Sequence, residues 1–234
     1  MKDSIIPIKD IKELVLEMFE LVGQQVADTK LAVLNFDKDL CREVLIQEKK
    51  VNGLDLKIDK EAEKIMALYS PVAVDLRFII ASLNINTFLE RIGDNTQSIC
   101  NCILQMEVPF KEEVLANSDL IKQLDITLQM FDDIIEAFVN ESSSKAAHVL
   151  SLDVEVDEIN NQALDFISDY IKKDVNDTKN YLFLLSMIQK TERIGDLIKN
   201  LAEETIFYID AKVLKHKRKK TNKYIERNLN VDPE

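Results

Sequence analysis

The sequence predicts an all-α protein built as two tandem antiparallel three-helix bundles related by internal duplication. Three observations carry this reading. The 234 residues include only four glycines and four prolines, too few for the turns that a β-rich chain requires. Apolar residues recur at spacings of three and four, as at Leu14, Met18, Leu21 and Val22, which is the period of a helix with one buried face. The pentapeptide Glu-Arg-Ile-Gly-Asp occurs twice, at 90–94 and at 192–196.

The surroundings of the pentapeptide repeat with it. Leu83 and Ile85 match Leu185 and Met187, and Ile99 matches Leu201. Upstream, Val44, Leu45, Glu48, Val51, Asn52 and Asp55 align with Val149, Leu150, Asp153, Val156, Asp157 and Asn160. The offset is 105 residues there (44 to 149) and 102 at the pentapeptide (90 to 192), so one connection is shorter in the second copy. A period of about 100 residues is too long for a solenoid unit and reads as a duplicated domain.

Breakers and caps set the elements in order. The first helix runs from Ile8 to Asn35 and ends at Asn35-Phe36-Asp37; the second runs from Lys38 to Tyr69. Ser70-Pro71 reads as an N-cap followed by proline at the first helical position of the third helix, which continues to Met106 before Pro109. Residues 107–117 read as a linker. The fourth helix starts at Asp119 and ends near Ser142-Ser143-Ser144, and the fifth runs from Lys145 to Lys173. After a turn at Asn176-Asp177-Thr178 the sixth helix runs into a basic tail. The expected units are 1–110, 117–216 and the tail 217–234.

Hydrophobic residues make up 46% of the chain and charged residues 31%, a composition that supports a sizeable core. The net charge of −12 repels phosphate backbones, which argues against a nucleic-acid partner. The exception is the run Lys212, Lys215, Lys217, Arg218, Lys219, Lys220 and Lys223. A solvated helix end, where cations suit the macrodipole, is its plain reading, and contact with an acidic partner or lipid headgroups the sharper one. Cys41, Cys100 and Cys102 form no CxxC pair and are odd in number, as expected for reduced thiols in the cytoplasm. Lys9, Asp10, Lys12 and Glu13 interrupt any signal-peptide stretch, and no apolar run is long enough to span a membrane.

The chemistry concentrates in carboxylate stripes. Glu90 and Asp94 stand four residues apart on one helix face, and Glu192 and Asp196 repeat them. The second helix offers Glu48, Asn52, Asp55 and Asp59 at steps of four, three and four; the fifth offers Asp153, Asp157 and Asn160, with Leu164 in the place of Asp59. Facing stripes would gather like charges that repel unless cations neutralise them. All-oxygen ligand sets suit Mg²⁺, Mn²⁺, Ca²⁺ and iron. Against this stands an ordinary solvated acidic face, which the repetition disfavours. Gly93 and Gly195 sit mid-helix at roughly 1 kcal/mol each relative to alanine, so close packing or room for a ligand is expected there. Gly23 reads as exposed and tolerant of a larger residue. Arg91 and Arg193 are expected in surface ion pairs. No Glu-x-x-His, Gly-rich phosphate loop or Ser-His-Asp set accompanies His148 and His216.

The stretches Pro71-Val-Ala-Val-Asp-Leu-Arg77, Leu89-Glu-Arg-Ile-Gly-Asp94, Thr191-Glu-Arg-Ile-Gly-Asp196 and Asn200-Leu-Ala-Glu-Glu204 resemble those of the PhoU family of bacterial phosphate-signalling proteins. The resemblance spans Met18 to His216. It implies paired three-helix bundles whose acidic motifs bind metal, in some members as iron or zinc clusters, and places that role on Glu90, Asp94, Glu192 and Asp196. It also implies a cytoplasmic, non-enzymatic, dimeric adaptor that represses phosphate uptake and the phosphate-starvation response. The implied partners are the ATPase subunit of a phosphate ABC transporter and a phosphate-sensing histidine kinase, through which any membrane association would run. Ser98 and Asn101 depart from Asn200 and Glu203 of the second copy, so metal occupancy is expected to differ between halves. The ion expected at the clusters is iron, manganese, zinc or magnesium. The alternative from another class is a metal-dependent hydrolase using a multinuclear carboxylate centre.

Overall fold

The computed structural model describes residues 7–214 together with Tyr224 and Ile225. Helix α1 (Ile8–Asn35) passes to α2 (Lys38–Tyr69) through Phe36 and Asp37. Phe36 adopts the left-handed region at φ 51° and its N–H donates to Ala32 O, closing α1. Asp37 then accepts from the N–H groups of Asp39 and Leu40 at 2.9 and 3.0 Å, satisfying two of the donors that a helix start leaves open.

Helix α3 (Ala73–Gln105) starts later than Ser70-Pro71 suggested. Ser70 is the left-handed end of α2 at φ 48°, and the extended residue before α3 is Val72, which offers no capping side chain. A residue before proline avoids the right-handed helical region, so Ser70 leaves α2 and Pro71 falls between the helices. The expected linker contains a short helix, α4 (Glu112–Asn117). Then come α5 (Leu120–Val139) and α6 (Ser143–Lys173), the latter capped by Ser142 Oγ accepting from Lys145 N–H at 3.4 Å. A 3₁₀ turn at Val175–Asp177 leads to α7 (Thr178–Asp210). Helix α7 does not continue into the basic run: Ala211 takes the left-handed region at φ 53°. Lys212 folds back onto Asp210 at 3.0 Å, and Tyr224 Oη donates to the same carboxylate at 2.7 Å. The rest of that run, and the 217–234 tail apart from Tyr224 and Ile225, lie outside the described residues.

Helices α1, α2 and α3 pack on one another, as do α5, α6 and α7. The halves meet along two seams, α3 against α7 and α1 against α5, while among the described residues α2 and α6 pack within their own half. Aromatic rings knit the seams. Phe19 meets Phe131 and Phe138 at 6.0 and 5.3 Å between centroids, and Tyr208 meets Phe78 and Phe138 at 5.5 and 5.8 Å. Such pairs contribute about 0.5–1.5 kcal/mol each beyond their burial, and the apolar core is continuous through both halves. Gly23 belongs to this seam: a Cβ there would stand 3.0 Å from Phe131 Cε1, so the expected tolerance is wrong. Gly53 is the open position, with nothing within 4 Å of a Cβ.

Candidate metal centre

The first carboxylate cluster forms where α2 meets α3. Glu48 is 2% exposed and lies under Gly93. A Cβ on Gly93 would stand 2.5 Å from Glu48 Oε2 and 3.1 Å from Gln25 Oε1. Here the glycine makes room for a carboxylate. Gln25 of α1 donates Nε2 to Glu48 Oε2 at 3.0 Å, whereas Glu48 Oε1 is buried with no hydrogen-bond partner among the described residues. Further along α3, Asn86 donates Nδ2 to Asp55 Oδ1 at 2.7 Å and to Asp59 Oδ1 at 3.2 Å. Glu90 is half-buried and Asp94 exposed on the same helix.

The charges of this cluster act on one another. Burial raises the Glu48 pKa, and Asp94 and Glu90 add to the shift against the bond from Gln25. Burial likewise raises Glu90, reinforced by Asp94 and Asp55, and raises Asp55, reinforced by Asp59. Among the described residues, none of Glu48, Asp55, Asp59, Glu90 and Asp94 has an ion-pair partner.

The second cluster, between α6 and α7, is tighter. Asp153, Asp157 and Asp196 each bring an oxygen within 4.8 Å of the others. Lys199 donates to Asp153 Oδ2 and lies 3.6 Å from Asp196 Oδ1. Burial alone would lower the Lys199 pKa, but the Asp153 bond and the fields of Asp153, Asp196 and Asp157 outweigh it and raise the value. Burial raises Asp153 despite Lys199, and raises Glu192 with help from Asp196, Asp157 and Asp153. Asp153 Oδ1 is buried without a partner, as Glu48 Oε1 is in the first half. Gly195 has a different cause from Gly93: a Cβ there would stand 3.1 Å from Val156 Cγ1, so the glycine eases a close helix contact rather than making room for a carboxylate.

Some expected ligands stand apart. Asn52 is exposed and Asn160 half-buried, and neither hydrogen-bonds to its cluster. Leu164 is 65% exposed. Arg91 and Arg193 are exposed and, among the described residues, make no ion pair within 4 Å, contrary to expectation. Three participants escaped the sequence reading. Asn86 lies four residues before Glu90 and Lys199 three after Asp196, spacings that put them on the same faces. Gln25 comes from α1, where no local pattern marks it.

An unpartnered, buried carboxylate oxygen is costly in isolation, and each half has one beside further carboxylates. That donor set fits a hard or borderline cation. Among the described residues, Asp153, Asp157 and Asp196 are the carboxylates whose oxygens gather within reach of one ion, with Glu192 close by; in the first half Glu48, Glu90 and Asp94 would have to draw together to hold one. Bound there, a cation would supply the counter-charge that Lys199 supplies in part to the second cluster alone.

Comparison with known proteins covers both halves. The PhoU domain model matches residues 15–103 and 120–205. The chain is 31% identical to the phosphate-specific transport system accessory protein PhoU of Edwardsiella tarda, over 88% of this chain and 84% of that protein. It is 28% identical to the protein of the same description from Escherichia coli K12, over 89% and 86% of the two chains. The crystal structure of PhoU from Pseudomonas aeruginosa superposes with a TM-score of 0.80 at 27% identity, over 87% of this chain and 97% of that one. Each matched segment contains one copy of the acidic pentapeptide, and the chain belongs to the PhoU family.

Proposed function

We propose that this protein is a regulatory accessory of phosphate transport, acting by binding and holding metal ions at its two carboxylate clusters. The observation that carries the metal reading is the pair of buried, unpartnered oxygens, Glu48 Oε1 and Asp153 Oδ1. Each faces charges that burial and mutual repulsion already disfavour. A cation relieves both costs in one step. The regulatory reading is supported by the relatives, which are described as accessory proteins of a phosphate-specific transport system.

In this reading the bundles form a rigid cytoplasmic adaptor that works as a homodimer. It restrains phosphate uptake and the starvation response through the transporter's ATPase subunit and a phosphate-sensing histidine kinase. The clusters set the shape of α2 against α3 and of α6 against α7, and so the outer faces offered to partners. The test is genetic. A host lacking the gene should express a starvation-induced phosphatase in phosphate-rich medium, and the wild-type gene should restore repression. Glu90→Gln with Asp94→Asn should restore it in part, and the quadruple variant adding Glu192→Gln and Asp196→Asn should not restore it. Amides keep the shape and lose the charge that holds a cation. Full repression by a well-expressed, helical quadruple variant would refute the role of the carboxylates. Hydrolytic turnover by the purified protein, lost in that variant, would favour an enzyme instead.

A further inference from the structure

The seam between α3 and α7 carries a groove of about 540 Å³. Arg91, Asp94 and Gln97 of α3 line it together with Lys190 and Arg193 of α7. The two arginines are the second residues of the repeated pentapeptides. Because α3 and α7 pack side by side, the duplication brings both to one groove.

Among the described residues, Arg91, Lys190 and Arg193 have no carboxylate within 4 Å; Asp94 is the carboxylate that lines the groove, while Glu90 and Glu192 lie within electrostatic reach of Arg91 and Arg193. In a chain of net charge −12, such a groove has a local sign opposite to that of the molecule. Other polar groups in its wall are already engaged: Asn95 Nδ2 donates to Arg91 O at 2.7 Å, and Ser98 Oγ donates to Asp94 O at 2.9 Å. The donors left are two guanidinium forks, one ammonium and the Gln97 amide. Paired forks match the edges of a tetrahedral oxyanion, each offering two parallel N–H groups. Leu197 is the apolar residue of the wall and is buried, so the groove has no socket for the apolar anchor that a peptide would bring.

We propose that this groove binds a phosphate-type oxyanion between Arg91 and Arg193, either inorganic phosphate or the phosphate end of a larger metabolite. The seat borders the first carboxylate cluster at Asp94 and does not require that the clusters hold metal.

The test uses the full-length protein, stripped of metal with EDTA and exchanged into chelator-free, low-salt buffer. Calorimetric titrations with inorganic phosphate, sulfate, pyrophosphate and ATP would be run on the wild type and on Arg91→Gln/Arg193→Gln. Saturable binding of phosphate, weakened at least tenfold in the double variant, is expected. An organic phosphate or pyrophosphate that binds more than tenfold tighter than phosphate, with the same loss in the variant, assigns the seat to the larger anion. Arg91→Lys/Arg193→Lys keeps the charge but not the forks, and should weaken binding several-fold; it also serves if the glutamine variant fails to fold. Lys9→Gln/Lys172→Gln removes equal charge from exposed sites elsewhere and should leave binding unchanged. Absence of saturable binding to all four anions would overturn the proposal. So would binding that survives both arginine variants, or that falls equally in the Lys9/Lys172 control. Every arm is run on metal-free protein, so the outcome is read without metal at Asp94 and the metal reading stands or falls separately.

Discussion

Replacing each helical glycine by alanine separates three physical situations that share one residue type. At Gly53 an added Cβ meets nothing within 4 Å, so Gly53→Ala should stabilise the protein by about 1 kcal/mol through helix propensity alone. At Gly195 the Cβ would meet Val156 Cγ1 at 3.1 Å. A shift of a few tenths of an ångström accommodates it, and the strain roughly cancels the propensity gain. At Gly93 the Cβ would stand 2.5 Å from Glu48 Oε2. The carboxylate must move, and it is buried and tied to Gln25 at 3.0 Å. Overpacking of this kind costs about 1–3 kcal/mol, leaving a net loss of about 0–2 kcal/mol after propensity. For a chain of this size, 1 kcal/mol moves Tm by about 2–4 °C. Thermal melts followed by circular dichroism, with EDTA and with Mn²⁺, should rank Gly53→Ala above Gly195→Ala above Gly93→Ala. The last should also lose part of the metal-induced rise. Gly93→Ala melting with Gly53→Ala, its metal response intact, would refute the idea that this glycine makes room for Glu48.

Further outcomes follow from the clusters. Saturating Mn²⁺ or Fe²⁺ should raise the wild-type Tm; at a hundredfold excess over Kd the gain is about 2.7 kcal/mol, and melts identical in EDTA and metal would exclude native-state binding. Glu48→Gln removes a buried charge, so the metal-free variant should melt at or above the wild type while gaining less from metal; a plain loss of stability in EDTA would contradict this. Lys199→Gln leaves Asp153 and Asp196 without their cation. Metal-free stability should fall by about 1–2 kcal/mol for this partly exposed pair, with a larger recovery on adding metal than in the wild type. Burial raises Glu48, Asp55, Glu90, Asp153 and Glu192 above their ordinary values. The folded state therefore binds protons more tightly than the unfolded one, and these groups favour folding increasingly as pH falls from neutrality toward about 4.3. Urea titrations in EDTA at pH 7 and pH 5 should show greater stability at pH 5, and the reverse order would contradict the burial of these charges.

The helices were legible because their signals are local. Three- and four-residue spacing and the caps at Asp37 and Ser142 need only neighbours in sequence. Ser70-Pro71 misled because the same two residues serve a helix end as well as a helix start, and the choice depends on where α2 and α3 must pack. The carboxylate stripes were legible through duplication. What sits between them was not. Gln25 reaches Glu48 from another helix, and Phe131 crowds Gly23 across the seam between halves. Neither contact leaves a mark at fixed spacing. Arg91 and Arg193 were visible as repeated residues, but their convergence depends on the packing of α3 against α7.

In the proposed reading the two carboxylate clusters hold metal. Elemental analysis of protein purified without chelator and then loaded with iron, manganese or zinc tests it most directly, read beside the variants Glu90→Gln/Asp94→Asn and Glu192→Gln/Asp196→Asn. Tightly held metal should survive gel filtration, fall in each double variant and vanish in the quadruple one. Metal-free wild type after loading, or a quadruple variant that retains the wild-type content, would contradict the account.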